Sequence, residues 1–379
     1  MATQSTPALA SASVLDIEQL VAALPTTSRE RFERLYHVSS AVGELNPPEH
    51  MTRWIERYFG SVEQVRRQKV VKITNRATME GALFNEVRAQ RPLEARIPEE
   101  LLTELARNAP DPFCEPLLNT PEDVFGRIEG RCCVTASNIA KYDGWHGVII
   151  FNEHDPLGFD EEAVADFLDV ARRWWQRAHA ADPAAIYPLF MWNCLWKAGA
   201  SIPHGHAQIS LARGMHYAKI EQLRRAAEMH RTVFDRNYFE ELYAVHRDLG
   251  LAAERDGVRL LAHLTPIKEK ELVLLADRCD TTLAQALYQA VQCLISELGV
   301  TSFNVVLYHA PLDPAADHGG WQNFPIVVRL VDRGDPTNRT ADFGAMELYA
   351  ASVISSDPFG VARKVLNRFQ DNANYAAAD

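Results

Sequence analysis

The chain has 379 residues, of which 47% are hydrophobic and 23% charged; that supplies a core for one large or two medium domains and excludes wholesale disorder. Its formal net charge is -11, which argues against an extended nucleic-acid surface, because such a surface needs a positive footprint. A small anion held by a local group of arginines and backbone amides stays open, while no apolar run approaches the roughly 18 residues of a membrane span, so no membrane partner is expected.

Residues 1–13 are small and polar, with no basic segment or apolar run, and read as a loose tail rather than a targeting peptide. From 15 to 65 the pattern reads as helical. Leu15, Ile17, Leu20, Val21 and Leu24 recur at helical spacing, and Ser28 caps a second helix running through Phe32. Val70 to Thr74 reads as a strand, and 84–92 ends in a basic turn that contains Arg88 and Arg91. A short helix is expected over 98–107, then a loop over 111–116. Two β-rich runs, 131–135 and 147–152, are separated by 138–145. An amphipathic helix follows, with Val164, Phe167, Leu168, Ala171, Trp174, Trp175 and Ala178 on one face. The strand 187–192 leads to a small-residue loop and a strand that carries histidines.

A long helical region over 216–249 precedes a second β-rich half. There, strands over 258–264 and 271–276, a helix over 281–298, and strands over 303–308 and 324–330 are expected, before residues 343–371 close the chain as helix. The order strand-strand-helix-strand-strand thus occurs twice, without residue-level identity. The fold class expected is α+β, divided as 1–65, 66–215 and 216–379. The six cysteines, Cys114, Cys132, Cys133, Cys194, Cys279 and Cys293, form no CxxC pair. With no secretory signal, reduced thiols and a cytoplasmic location are expected. Adjacent Cys132 and Cys133 read as core thiols.

The chemistry concentrates in Gly199-Ala200-Ser201-Ile202-Pro203-His204-Gly205-His206-Ala207-Gln208. On a strand, alternate side chains share a face, so His204, His206 and Gln208 would line one surface behind a small-residue loop. A neutral imidazole is a competent nucleophile near pH 7. Charge developing on a phosphoryl group needs fixed donors, for which Gln208, the Ser201 hydroxyl and the amides of Gly199, Ala200 and Ser201 are candidates. Arg88 and Arg91 could supply local positive charge.

This motif resembles the active-site segment of the nucleotidyltransferase branch of the histidine-triad superfamily, which includes galactose-1-phosphate uridylyltransferase, ADP-glucose phosphorylase and diadenosine tetraphosphate phosphorylase. Gln208 stands where hydrolase-type members carry a third histidine. Further segments are similar: Asn138 to Ile150 with His154 resembles the superfamily's first strand pair, the turn from Arg88 to Pro92 an HRxxRP-type turn, and Phe303 to Pro311 a YNxxLHxAP segment. The resemblance spans residues 84 to 366, and the first 80 or so residues match nothing in it.

The resemblance implies two tandem histidine-triad-like halves with antiparallel sheets flanked by helices, preceded by an extra N-terminal helical segment. It implies transfer of a nucleoside monophosphate between a nucleoside-diphosphate sugar and a sugar phosphate or inorganic phosphate, through a covalent intermediate on His206. Gln208 and Ser201 would assist, and Asn138, Asn193, Gly199, Ala200, Arg88 and Arg91 would bind substrate. It implies a homodimer and no organic cofactor. Its zinc ligands correspond to Asp111, Cys114, His154 and His204. The aspartate replaces the first cysteine of a CxxC, and either ligates through oxygen or simply caps a turn; the zinc would be structural. His309 and His318 could form part of a second site, but Trp321 to Ile326 departs from the family's HxH-rich strand. Glu347 matches a sugar-contacting glutamate. Two alternatives are kept: a diadenosine tetraphosphate phosphorylase, whose Asn-Pro-Phe segment Asp111-Pro112-Phe113 resembles, and an inactive nucleotide-binding protein.

Overall fold

This computed structural model describes residues 11–85, 87–88, 111–314, 319–338 and 343–371. The helix expected over 98–107 lies outside them. Helix α1 (Ile17–Ala22) follows the apolar spacing read from sequence, whereas α2 (Thr26–Leu35) starts after Pro25, so Ser28 lies inside it rather than capping it. The helical reading of 15–65 fails next, because β1 (Tyr36–Glu44) is a strand. It pairs antiparallel with β2 (Arg67–Asn75), from Tyr36↔Asn75 to Glu44↔Arg67. Its Tyr and Val residues favour an extended chain once a partner strand is available, and tertiary pairing overrides a weak local signal. Helices α3 (Thr52–Phe59) and α4 (Val62–Arg66) connect the two strands, so the hairpin runs across residue 65.

After β3 (Gly81–Phe84) and the short α5 (Pro116–Asn119) come β4 (Cys133–Ser137) and β5 (Trp145–Phe151). Helix α6 (Glu161–Ala181) starts where the Asp160 carboxylate accepts the Ala163 N–H, an N-cap that satisfies an otherwise orphaned donor. Strands β6 (Ala185–Cys194) and β7 (His206–Arg213) complete the first half. Helices α7 (Ala218–Phe234) and α8 (Tyr238–Asp248) lead to β8 (Ala252–Arg255), β9 (Val258–Ala262) and β10 (Leu272–Ala276). Then come α9 (Thr281–Ser296), β11 (Phe303–Tyr308) and β12 (Ile326–Asp332). The C-terminal stretch expected to be helical from 343 contains α10 (Ala345–Tyr349), a short strand β13 (Ser352–Ile354), and α11 (Pro358–Asp371). Strand β13 pairs parallel with β3 and completes a four-stranded sheet, β1-β2-β3-β13.

The main sheet has nine strands in the order β4-β5-β7-β6-β11-β12-β10-β9-β8, and every neighbouring pair is antiparallel. Within it, four strands of each half are ordered first-second-fourth-third, β4-β5-β7-β6 and β9-β10-β12-β11, and β8 adds an edge strand beside β9. Their third strands, β6 and β11, meet at the seam. One face of the sheet packs on α6, whose buried side includes Phe167, Trp174 and Trp175. Phe151 stacks on Phe167 at 3.8 Å, and Trp192 at the seam meets Phe151, Phe159 and Phe303 edge-on. These large rings hold the central strands rigidly. The opposite face, near β4, β5 and β7, carries only a small apolar group, Val134, Ala136, Val148 and Ile150, against Phe113. That face holds the polar residues. Among the described residues no helix is long and apolar enough to cross a membrane.

Candidate active site

The chain leaves β6 through Leu195, at φ 66°, and turns back at Gly199, at φ 96°, a left-handed conformation that suits glycine. Between them the loop closes on itself: the amides of Ala198 and Ala200 donate to the Leu195 carbonyl, and that of Gly199 to Trp196. The Gly199 and Ala200 amides, expected to hold phosphate, are therefore already engaged within the loop. Ser201 follows them, exposed.

Strand β7 begins only at His206, so His204 precedes the strand rather than alternating along it. The two imidazoles still converge, because the Phe113 ring lies against both, at 6.1 Å from His204 and 5.2 Å from His206. The glycine between them is required by space. A Cβ on Gly205 would stand 2.6 Å from Phe151 Cδ2 and 3.3 Å from the Glu153 carbonyl.

His206 is 6% exposed. Its Nδ1 lies 2.8 Å from the His204 carbonyl, which can only accept, so Nδ1 carries the proton and Nε2 keeps a lone pair. Burial holds its pKa below the ordinary histidine value. On the same face, Gln208 Oε1 lies 2.8 Å from the Tyr142 hydroxyl and 2.9 Å from His146 Nε2. Asn138 joins this group, with its Nδ2 3.3 Å from His146 Nε2. His146 is fully buried beneath the Tyr142 ring, 3.8 Å away, and burial lowers its pKa. Across the sheet, Met191 of β6 pairs with Gln208, and Asn193 shares that face. Asn193 Oδ1 accepts from Asn304 Nδ2 at 2.6 Å, and the same amide reaches the Ala198 carbonyl at 2.9 Å. Arg333 in turn donates to Asn304 Oδ1.

The residues expected to bind metal come together. The ligand atoms of Asp111, Cys114, His154 and His204 all lie within 4.8 Å of one another. His154 Nδ1 and His204 Nδ1 are 3.1 Å apart, and Cys114 Sγ lies 3.6 and 3.9 Å from them. Ligand bonds of about 2.0–2.3 Å around tetrahedral zinc give edges of roughly 3.3–3.8 Å, so the set has the right size. The orientation also fits. His204 Nε2 donates to the Phe151 carbonyl at 2.9 Å, which leaves Nδ1 as the ligand nitrogen and fixes the ring. Asp111 Oδ2 is buried without a hydrogen-bond partner, although Oδ1 caps the Phe113 amide. Both readings of Asp111, turn cap and ligand, thus find an oxygen in the structure. The donors suit zinc.

Other expected residues fall elsewhere. Arg88 is exposed on the turn after β3, and among the described residues no hydrogen bond ties it to the His206 group. Arg91 and His318 lie outside the described residues. His309 is half-buried beside Trp175, with Nδ1 at the Ala310 carbonyl. Glu347 accepts from the Gly344 amide as a helix cap. Cys133 is buried against Asp166, and its thiol is pushed up by burial. The sequence reading singled out no role for Phe113, Tyr142, His146, Asn304 or Arg333. His146 and Asn304 had a visible signal, a polar residue inside an apolar strand; the others had none.

No family model and no curated protein matches the sequence. Solved structures do. An ADP-glucose phosphorylase from Arabidopsis thaliana, with bound ADP-glucose, is 14% identical at a TM-score of 0.60 and covers 77% of this chain and 97% of its own. A GalT-like protein from Arabidopsis thaliana is 15% identical at 0.56, over 67% and 91%. A uridylyltransferase is 14% identical at 0.55, over 78% and 98%. The chain shares the fold of these proteins. The α+β expectation holds.

Proposed function

We propose that the protein transfers a nucleoside monophosphate between a nucleoside-diphosphate sugar and a sugar phosphate or inorganic phosphate, by way of a covalent intermediate on His206. The observation that carries this reading is the hydrogen bond from His206 Nδ1 to the His204 carbonyl, which presents an unprotonated Nε2 beside Gln208. His206 Nε2 attacks the α-phosphorus. The new N–P bond forms as the bond to the bridging oxygen breaks, and that electron pair leaves on the departing phosphate. The imidazolium so formed keeps its Nδ1 proton on the carbonyl, so no proton has to move. In the second step an acceptor phosphate oxygen attacks, and the N–P pair returns to His206.

Gln208 donates its amide to the phosphoryl oxygens, with Ser201, Asn193 and Asn138 as further polar contacts, and Arg88 and Arg91 complete the phosphate site in this reading. Asp111, Cys114, His154 and His204 would hold a zinc ion, whose contribution is structural: it would fix the loop that carries the His204 carbonyl. The catalytic half is assigned to 66–215 and a second half to 216–379, and the working state is taken as a cytoplasmic homodimer. ADP-glucose bound to the Arabidopsis phosphorylase supports a nucleotide-sugar donor.

The test is to incubate the protein with UDP-glucose, ADP-glucose, a GDP-sugar or diadenosine tetraphosphate, each labelled at the α-phosphate. An acid-labile, base-stable label on wild type, absent from His206→Gly, is expected. No label from any donor while nucleotide binds would sink the covalent route.

A further inference from the structure

The side-chain amide of Gln208 can face the phosphate site in either of two ways. It offers donors in one and an acceptor in the other, and only the first stabilises a phosphoryl group. Nothing within Gln208 selects between them. The selection lies in its neighbours. His146 has no exposure, and its Nδ1 is buried with no hydrogen-bond partner. A buried N–H without an acceptor loses the full solvation of a donor, whereas an imine nitrogen without a donor is the milder loss. The His146 proton therefore belongs on Nε2.

Two groups approach that Nε2: Gln208 Oε1 at 2.9 Å and Asn138 Nδ2 at 3.3 Å. An N–H there can donate only to the first, and Asn138 is held by its own Oδ1, which accepts the Ala140 amide at 3.0 Å. The Tyr142 hydroxyl donates to the same Oε1 at 2.8 Å. Two donors thus converge on one oxygen and turn the Gln208 NH₂ away from them. Tyr142 is itself seated on the His146 ring at 3.8 Å, so the two act as one unit.

We propose that His146 and Tyr142 are positioning residues: they hold the Gln208 carboxamide with its NH₂ toward the phosphoryl group on His206. The inference rests on the nucleotidyl-transfer reading above for its kinetic consequence, but not for its geometry. It assigns a task to the otherwise unexplained loop 138–145. That loop is fastened by the Lys141 ammonium on Ser137 Oγ at 2.7 Å and by Asp143, which accepts the Tyr217 hydroxyl at 2.6 Å.

Two measurements test it. In histidine-labelled protein, the nitrogen NMR signals of His146, assigned through His146→Phe, should report the Nε2–H tautomer; an Nδ1–H tautomer overturns the proposal. In single turnover, Tyr142→Phe and His146→Phe should each slow labelling of His206 about tenfold or more, while in a Gln208→Ala background either change should cost no more than about twofold. His146→Gln, which restores an N–H donor, should recover part of the rate. Nucleotide affinity should stay nearly unchanged throughout. Equal losses with and without Gln208, or no recovery in His146→Gln, would make both residues merely structural and refute the assignment. If wild type takes no label, the transfer reading falls, and the tautomer still decides the geometry.

Discussion

Cys114, Asp111, His154 and His204 are four residues from three separate stretches of chain, and their convergence within 4.8 Å is a demanding arrangement to reach without a ligand. Purified protein should carry about one zinc per chain, and Cys114→Ser should lose most of it by elemental analysis. A different kind of charge site lies on β12. The Arg329 side chain is 11% exposed and donates to Glu271 and to Glu80, each at 2.6 Å. Burial alone would raise the Glu80 carboxyl, but Arg329 and His263 outweigh it and hold the group at about 2. A carboxylate depressed in this way adds stability above its unfolded value and loses it as the pH falls toward the folded one. Glu80→Gln should therefore lower the unfolding free energy at pH 7 by on the order of 2 kcal/mol. The deficit against wild type should shrink between about pH 5 and pH 2 in thermal melts. None of this ion cluster was visible in the sequence, because Glu80 and Glu271 stand just before β3 and β10 while Arg329 lies within β12, and no local pattern reveals how these strands are placed.

At the scale of elements, legibility followed the strength of the local pattern. Helix α6 could be read from its apolar stripe, which repeats from Val164 to Ala178 over about four turns. Strands β1 and β13 could not. The three residues of β13 are extended only because β3 lies alongside, some 270 residues earlier in the chain. The histidine loop falls between these cases. Its residue types suggested a phosphate-holding loop, but the capture of the Gly199 and Ala200 amides within the loop depends on the φ angles at Leu195 and Gly199. Gly205 offers an element-level prediction. Its Cβ position is blocked by Phe151, which is clamped on Phe167. Gly205→Ala should cost about 1–3 kcal/mol in denaturant melts. It should also reduce zinc content, because the strain falls on the backbone that joins His204 to His206.

For the whole molecule, one sheet runs through both halves, and the aromatic group around Trp192 bridges them. Unfolding should be a single cooperative event, with coincident transitions followed by tryptophan fluorescence and by far-ultraviolet circular dichroism, and with no half-folded plateau. Trp192→Ala should lower stability by about 3–5 kcal/mol in the same melts, as for other buried aromatic truncations. The repeated strand order was legible from sequence, since each half writes the same pattern of apolar runs. How the halves join was not, because two third strands meeting edge to edge leaves no mark on either strand alone.

That seam also makes the two halves depend on each other. The hydrogen bond from Asn304 to Asn193 crosses it, and Arg333 stands behind Asn304. The strand that carries Asn193 therefore has that side chain held by a residue of the other half. Co-expressed fragments divided near residue 215 should regain nucleotidyl labelling only when both are present, and Asn304→Ala in the second fragment should weaken what they regain. A substitution on one side of this seam is therefore felt by the strand on the other side.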